Sequence, residues 1–425
     1  MTLCFARRLH HDTNREWTLR DDEISTEPIP PVELARMHDT LASEVAAGHL
    51  PGLVSLVARG DDVHVDAIGT PSFTDNTPLS RHAIFRIASL TKPIVAAAAL
   101  VLVEEGLLAL EQPIDSLLPE MTSRRVLRSL HAELDDTVAA RRPITVEDLL
   151  SYRLGFGSVL LPPGTYPIQR AEAELGLQSI GGPPWPPSGH DNDSWIAALG
   201  SLPLMYHPGE RWLYNTSGQV LGVLLARACG QSLESVLRTR ILDPLGMVDT
   251  GFSVPPEKLD RLPTLYMPDP VTGALSVFDE APHSWWSTPP AFADGSGWLV
   301  STIDDYWSFV SMVLAGGTGN GNRVLSHESV ARMTSDQLTP FQRDGNTVFL
   351  GSHGSWGFGL SVPATGSSDE PFPCGTGWDG GTGTTWRSDI RRGVTAMLFT
   401  QRHATSPVPP LLIDNFWSGV NAATR

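Results

Sequence analysis

Phe85-Arg86-Ile87-Ala88-Ser89-Leu90-Thr91-Lys92-Pro93 is the stretch on which the reading of this chain turns. The apolar run Ile94–Val103 follows it, and Glu104-Glu105-Gly106 closes it, so the spacing predicts a helix from about Ser89 to Glu105 with Gly106 as its stop. Proline has no amide hydrogen and is tolerated only near a helix start, so Pro93 puts Ser89 at or close to the N-terminus. Ser89 and Lys92, three residues apart, then share one face on adjacent turns. The helix dipole and the free N–H groups of a first turn favour negative charge, which is what a serine alkoxide needs. Burial beside the apolar run would lower the lysine pKa and let a neutral amine take the hydroxyl proton.

The rest of the composition sharpens Lys92. Of 30 Lys and Arg residues only Lys92 and Lys258 are lysine. An amine can lose its proton in a buried site and a guanidinium cannot, so a lysine kept in an arginine-rich chain points to titration. By itself the tetrapeptide fits equally well an N-cap serine followed by a surface lysine.

Further out, Val32–Ala47 repeats its apolar positions at helical spacing, and Leu53–Ala58 with Val63–Ile68 reads as a hairpin around Gly60-Asp61-Asp62. Helices are expected at Val146–Tyr152, Gln219–Ala228, Leu233–Ile241 and about Leu411–Ala422, and paired strands at Thr382–Trp386 and Val394–Phe399. Residues 154–210 are broken repeatedly by Gly and Pro, Gly181-Gly182-Pro183-Pro184-Trp185-Pro186-Pro187 most densely; they read as an irregular segment, either overhanging a pocket or running over the surface. Residues 1–31 read as a loosely held, partly disordered extension. Strands at both ends of the chain imply one antiparallel sheet assembled from both, with the middle inserted.

Five stretches in order carry a resemblance to a known family. The first is the Phe85–Pro93 segment with Gly106-Leu107-Leu108-Ala109-Leu110 and Pro113-Ile114. Ile144–Leu150, Pro208–Thr216, Gly295–Thr302 and Gly377-Trp378-Asp379-Gly380-Gly381 follow. Over roughly residues 32–425 the chain resembles the penicillin-recognising serine hydrolases, the class C β-lactamase-like group with its S-x-x-K motif, and most resembles the family VIII carboxylesterases. The resemblance implies an α/β (α+β) fold: an antiparallel sheet flanked by helices, with a sheet subdomain from about 32–88 and 290–425 and a helical, irregular insert at about 89–289. It implies Ser89 as nucleophile, Lys92 and Tyr214 as the proton-transfer pair, with Tyr214 as phenol or as a phenolate stabilised by the amine. It also implies an oxyanion hole from the backbone N–H groups of Ser89 and Gly381.

Two departures from the family pattern bear on the substrate. The second signature, which commonly ends in Asn or Ser, ends here in Thr216. Where β-lactamases carry Lys-Thr-Gly, this chain has Trp378-Asp379-Gly380. Trp378 supplies no positive charge and Asp379 adds a negative one if it faces the site. Thr216, Trp378, Asp379 and Gly380 are therefore expected to contact a neutral ester with apolar parts, ahead of a β-lactam or other carboxylate-bearing substrate. The rival readings are a β-lactamase or D-amino-acid peptidase-like amide hydrolase, a transacylase, and a non-catalytic binder on the same fold.

Other signals point away from competing chemistries. The chain's net charge of −17 repels phosphate backbones, so nucleic acid and anionic membranes are not expected partners. Cys4, Cys229 and Cys374 are odd in number and have no ligand spacing, which fits reduced thiols in a soluble, cytoplasmic protein. The first 20 residues lack the apolar core of a secretory signal, and no run is long enough to span a bilayer. Gly375-Thr376-Gly377-Trp378-Asp379-Gly380 matches a dinucleotide fingerprint, but a strand and not a helix is expected after it. His190-Asp191-Asn192-Asp193 reads as a solvated turn in preference to a metal site. No metal or organic cofactor is expected, and the partner is a small-molecule ester or amide. The sequence carries no signal for an oligomeric state.

Overall fold

In the computed structural model, residues 28–177, 189–367 and 371–424 are described. The hairpin read from the sequence is present as β1 (Gly52–Arg59) and β2 (Asp62–Gly69), paired antiparallel. The C-terminal part adds β3 (Gly354–Trp356), β4 (Ser361–Pro363), β5 (Thr376–Gly380), β6 (Thr384–Asp389) and β7 (Val394–Thr400). All join one antiparallel sheet in the order β3-β4-β5-β6-β7-β1-β2. The seam between the two chain ends is β1 on β7, Leu53 opposite Thr400 and Arg59 opposite Val394.

β1 and β7 are buried along their whole length because both faces are covered. Side chains alternate across the strands with period two. Leu53 and Val57, with Val394, Ala396 and Leu398, pack against helices Pro31–Ala46 and Leu411–Ala423. Val54, Leu56 and Ala58, with Met397 and Phe399, face the larger core that includes helix Thr91–Glu104 and helix Ile303–Leu314. This is the expected antiparallel sheet flanked by helices.

Several local expectations change. The end of the segment read as a loose extension is held in place: Ile29 is buried and its N–H donates to Asp62 Oδ2 at 3.1 Å, while residues 1–27, Cys4 among them, lie outside the described residues. The segment read as irregular contains two helices, Pro167–Glu174 and Asn192–Ser201, although Gly181–Pro187 lies outside the described residues. His190–Asp193, read as a solvated turn, is solvent-facing but forms a helix start: Asp191 accepts from Ser194 N at 2.8 Å as N-cap, and the exposed Asp193 pairs with Arg227. Among the described residues no group of His, Cys, Asp and Glu is placed to hold a metal ion. No single described helix is long and apolar enough to cross a membrane.

Candidate active site

The serine sits where three chain segments meet. Phe85-Arg86 pairs antiparallel with Val300-Ser301, and Ile87 N–H donates to Leu299 O at 3.0 Å. Arg86 is buried in an ion pair with Asp279 and donates to Pro263 O at 2.6 Å, so its role is to anchor the strand that enters the site. Ala88 then takes a left-handed φ of 42°, and Ala88–Leu90 forms a 3₁₀ turn that runs into helix Thr91–Glu104. The helix begins two residues later than the spacing predicts, so Ser89 stands on the tight turn just before it. Such a conformation is costly for a residue with a Cβ and persists where surrounding structure enforces it. Thr91 contributes to that enforcement by accepting from Leu299 N at 3.0 Å.

Lys92 and Ser89 are both buried, with Nζ 2.9 Å from Oγ. Nζ also donates to Asn215 Oδ1 at 2.8 Å and Ser296 O at 2.5 Å. Burial lowers the lysine pKa to about 7, with buried Asp294 opposing the shift. A neutral amine has two hydrogens and one lone pair. Asn215 Oδ1 and Ser296 O are acceptors only, so they take both hydrogens and the lone pair is left for the Ser89 hydroxyl.

Tyr214 approaches from the other side. Its hydroxyl donates to Ser89 Oγ at 2.8 Å and accepts from Trp378 Nε1 at 2.9 Å. Lys92 Nζ lies 4.5 Å from the centre of the tyrosine ring, over its face and not against its oxygen. Burial pushes the Tyr214 pKa upward, against the lowering effect of its hydrogen bonds with Ser89 and Trp378. Of the two forms left open by the sequence, burial favours the phenol in the resting site.

Gly380 brings the end of β5 against the serine turn. A Cβ there would lie 2.4 Å from Ile87 O and 2.1 Å from Thr384 Oγ1, so only glycine allows the approach. Thr382 and Thr384 hydroxyls donate to Arg86 O and Ile87 O and stitch the two segments together. The N–H of Gly381 meets no acceptor among the described residues, and its carbonyl accepts from Ala404 N at 2.7 Å. Ser89, Tyr214, Trp378, Asp379, Gly380 and Gly381 line one cavity of about 240 Å³, closed further by Val159, Leu160, Phe349 and Ile413.

Two residues expected at the substrate stand differently. Thr216 is buried at the start of helix Thr216–Cys229 and is not part of the cavity wall; its neighbour Asn215, with φ of 80°, turns its amide oxygen to Lys92 instead. Asp379 does line the cavity, but Arg387 holds its two oxygens at 3.0 and 2.7 Å and Thr385 donates to it at 2.5 Å. Its charge is compensated, so it does not make the wall anionic.

Asn215 and Ser296 are the partners of Lys92 that sequence reasoning missed. Both lie inside stretches that carried the resemblance, and the Asp294 carboxylate fixes Ser296 through its N–H and its hydroxyl, each at 2.6 Å. A second lysine ligand that is a backbone carbonyl leaves no trace in residue type.

A family model described as Beta-lactamase matches residues 37–414. The chain is 38% identical over 353 residues to Protein Rv1367c of Mycobacterium tuberculosis, covering 81% of this chain and 84% of that one. It is 28% identical over 399 residues to Esterase EstB of Burkholderia gladioli, covering 89% and 93%. Among solved structures it is similar to EstCE1, described as a hydrolase with promiscuous acyltransferase activity, with a TM-score of 0.74 at 21% identity over 92% of this chain and 99% of that one. Unliganded simvastatin synthase LovD of Aspergillus terreus gives 0.73 at 20% identity over 93% and 98%. At these identities the structural likeness establishes the fold.

Proposed function

This chain belongs to the Beta-lactamase family, and from that membership we propose that it is a serine hydrolase that cleaves neutral carboxylic esters through a Ser89 acyl-enzyme. The observation that carries the reading is the directed line of hydrogen bonds from Trp378 N–H to Tyr214 O–H to Ser89 Oγ, with the Lys92 lone pair left for the serine proton.

In the first half-reaction neutral Lys92 takes the Ser89 proton as Oγ bonds to the ester carbonyl. The carbonyl oxygen, now an oxyanion, is met by the N–H groups of Ser89 and Gly381. The C–O bond to the alcohol breaks, Tyr214 gives its proton to the departing alkoxide, and the Trp378 N–H supports the phenolate so formed. Lys92 keeps the serine proton as an ammonium beside the Tyr214 phenolate, so one proton has been gained and one given and the net charge of the site is unchanged. Water then enters the acyl-enzyme and gives a proton to the Tyr214 phenolate as its oxygen bonds to the acyl carbon; Lys92 returns its proton to Ser89 Oγ as that C–O bond breaks and the acid leaves.

The cavity supports the neutral-ester reading. Trp378, Val159, Leu160 and Phe349 offer apolar surface, and the acid in the third motif is neutralised by Arg387. Treatment with a fluorophosphonate followed by mass spectrometry of the labelled peptide tests the nucleophile. An adduct on Ser89, absent from Ser89→Ala, is expected; labelling elsewhere, or none, overturns the mechanism. Parallel assays with p-nitrophenyl butyrate and nitrocefin test the substrate class. Efficient nitrocefin turnover without ester cleavage overturns the role given to Trp378.

A further inference from the structure

One titratable group in the cavity wall has no part in the mechanism above. His403 follows β7 and lines the same cavity as Ser89. Its segment is fixed on two sides: the N–H of His403 donates to Tyr266 O at 2.8 Å, and the N–H of Ala404 donates to the carbonyl of Gly381. The imidazole packs beside Phe278, ring centres 5.2 Å apart.

Its hydrogen bonding decides its tautomer. Nδ1 lies 2.6 Å from Ala404 O, and a carbonyl can only accept, so the ring hydrogen is on Nδ1. Nε2 then carries a lone pair. It has no protein partner among the described residues, nor is it among the buried polar atoms sealed from solvent. Burial lowers the imidazole pKa below its ordinary value, so the ring stays neutral at pH 7. Two acceptors nearer the reacting end are occupied: Asp379 by Arg387 and Thr385, and Tyr214 Oη by Trp378. In a wall made mainly of apolar groups, a fixed and unoccupied acceptor selects for a donor on whatever fills the space.

We propose that His403 is a specificity-determining residue whose Nε2 accepts a hydrogen bond from a hydroxyl on the substrate, so that the preferred esters are hydroxylated in an otherwise apolar acyl chain or alcohol. The proposal rests on the acyl-enzyme reading, and it adds what that reading leaves open, namely which neutral esters are favoured.

Two matched pairs test it: p-nitrophenyl 3-hydroxybutanoate against p-nitrophenyl butanoate, and 4-hydroxybutyl butanoate against pentyl butanoate. The readout is the ratio of kcat/KM within a pair, which cancels any general loss of activity in a variant. The wild-type protein is expected to favour the hydroxylated member of at least one pair by about tenfold, the scale of one hydrogen bond to an otherwise unpaired acceptor. His403→Phe keeps a flat ring without an acceptor and brings that ratio to about one. His403→Gln, whose amide oxygen reaches about as far as Nε2, restores most of the preference. Ratios near one for both pairs in the wild-type protein overturn the proposal, as does a preference that survives in His403→Phe with an unchanged melting temperature. If no ester is cleaved and fluorophosphonate leaves Ser89 unlabelled, it is the acyl-enzyme premise that has failed, and the labelling result separates that case from the others.

Discussion

Replacing Lys92 with methionine should make the folded protein's stability respond to pH in a new way. Burial has moved the amine from its ordinary 10.5 to about 7. Below pH 7 the ammonium is present in both folded and unfolded chains, and the folded chain bears the whole cost of burying it. Between 7 and 10.5 only the unfolded chain holds the proton, so wild-type stability from this group rises with pH; above 10.5 the two states no longer differ. At 1.36 kcal/mol per pH unit the full span is worth roughly 5 kcal/mol. The part between pH 6 and pH 9 is roughly 2.5 kcal/mol, from the same linkage.

Methionine fills similar space and carries no charge. It leaves Asn215 Oδ1 and Ser296 O without their donor, a cost that does not vary with pH. The stability difference between wild type and Lys92→Met should therefore shift by roughly 2.5 kcal/mol in favour of the wild type from pH 6 to pH 9. Urea unfolding followed by tryptophan fluorescence at pH 6, 7.5 and 9 measures it. A difference constant within 0.5 kcal/mol, on the order of the additivity error between independent sites, would refute the claim that Lys92 is held in a form ready to accept a proton. The kinetic counterpart is a wild-type kcat/KM that rises tenfold per unit below pH 7 and levels off above it.

Three further changes probe the surroundings. Trp378→Phe keeps the ring and removes the donor to Tyr214 Oη; with a hydrogen bond to a developing charge worth about 1.5–3 kcal/mol, acylation in a stopped-flow burst should slow by about 10- to 150-fold. Gly380→Ala places a methyl against Ile87 O and Thr384 Oγ1, pushes Gly381 from Ser89, and should cut kcat by about 100-fold or more while the circular dichroism spectrum stays native. Arg387→Leu leaves Asp379 uncompensated in the cavity wall, so kcat/KM for an anionic hemisuccinate ester should fall more than for p-nitrophenyl butyrate, the gap closing as salt is raised.

Much of the site was readable because chemistry and local geometry coincide there. Ser89, Lys92 and Pro93 lie within five residues, and helix periodicity is enough to put the first two on one face. Tyr214 needed the ordered motifs, since nothing local brings residue 214 to residue 89. The hairpin Gly52–Gly69 and strand Val394–Thr400 were legible from alternating or continuous apolar runs with turn residues between. β3, β4 and β5 were not: they span three to five residues, carry Gly or Pro, and owe their conformation to neighbouring strands. Helix Pro167–Glu174 was hidden for a related reason, as its own proline, at the first turn, reads as a breaker out of context. That Thr216 lies outside the cavity wall, and that Asp379 in the wall is paired with Arg387, could not be read because residue type does not reveal which way a side chain turns or who neutralises it.

The pairing of β1 with β7 bears on when the protein becomes active during its synthesis. β1 is made early, while its neighbour in the sheet, Val394–Thr400, is made more than 300 residues later. The Gly380–Gly381 wall arrives only shortly before. Until then the chain has Ser89 but neither the Gly381 N–H near it nor the strand that completes the seam with β1. Closing a loop of more than 300 residues before the sheet can zip makes folding slow, and the exposed edge of the early hairpin is prone to wrong partners until then. A chain cut short before Thr376 should therefore be an aggregating, inactive polypeptide with every one of Ser89, Lys92 and Tyr214 intact.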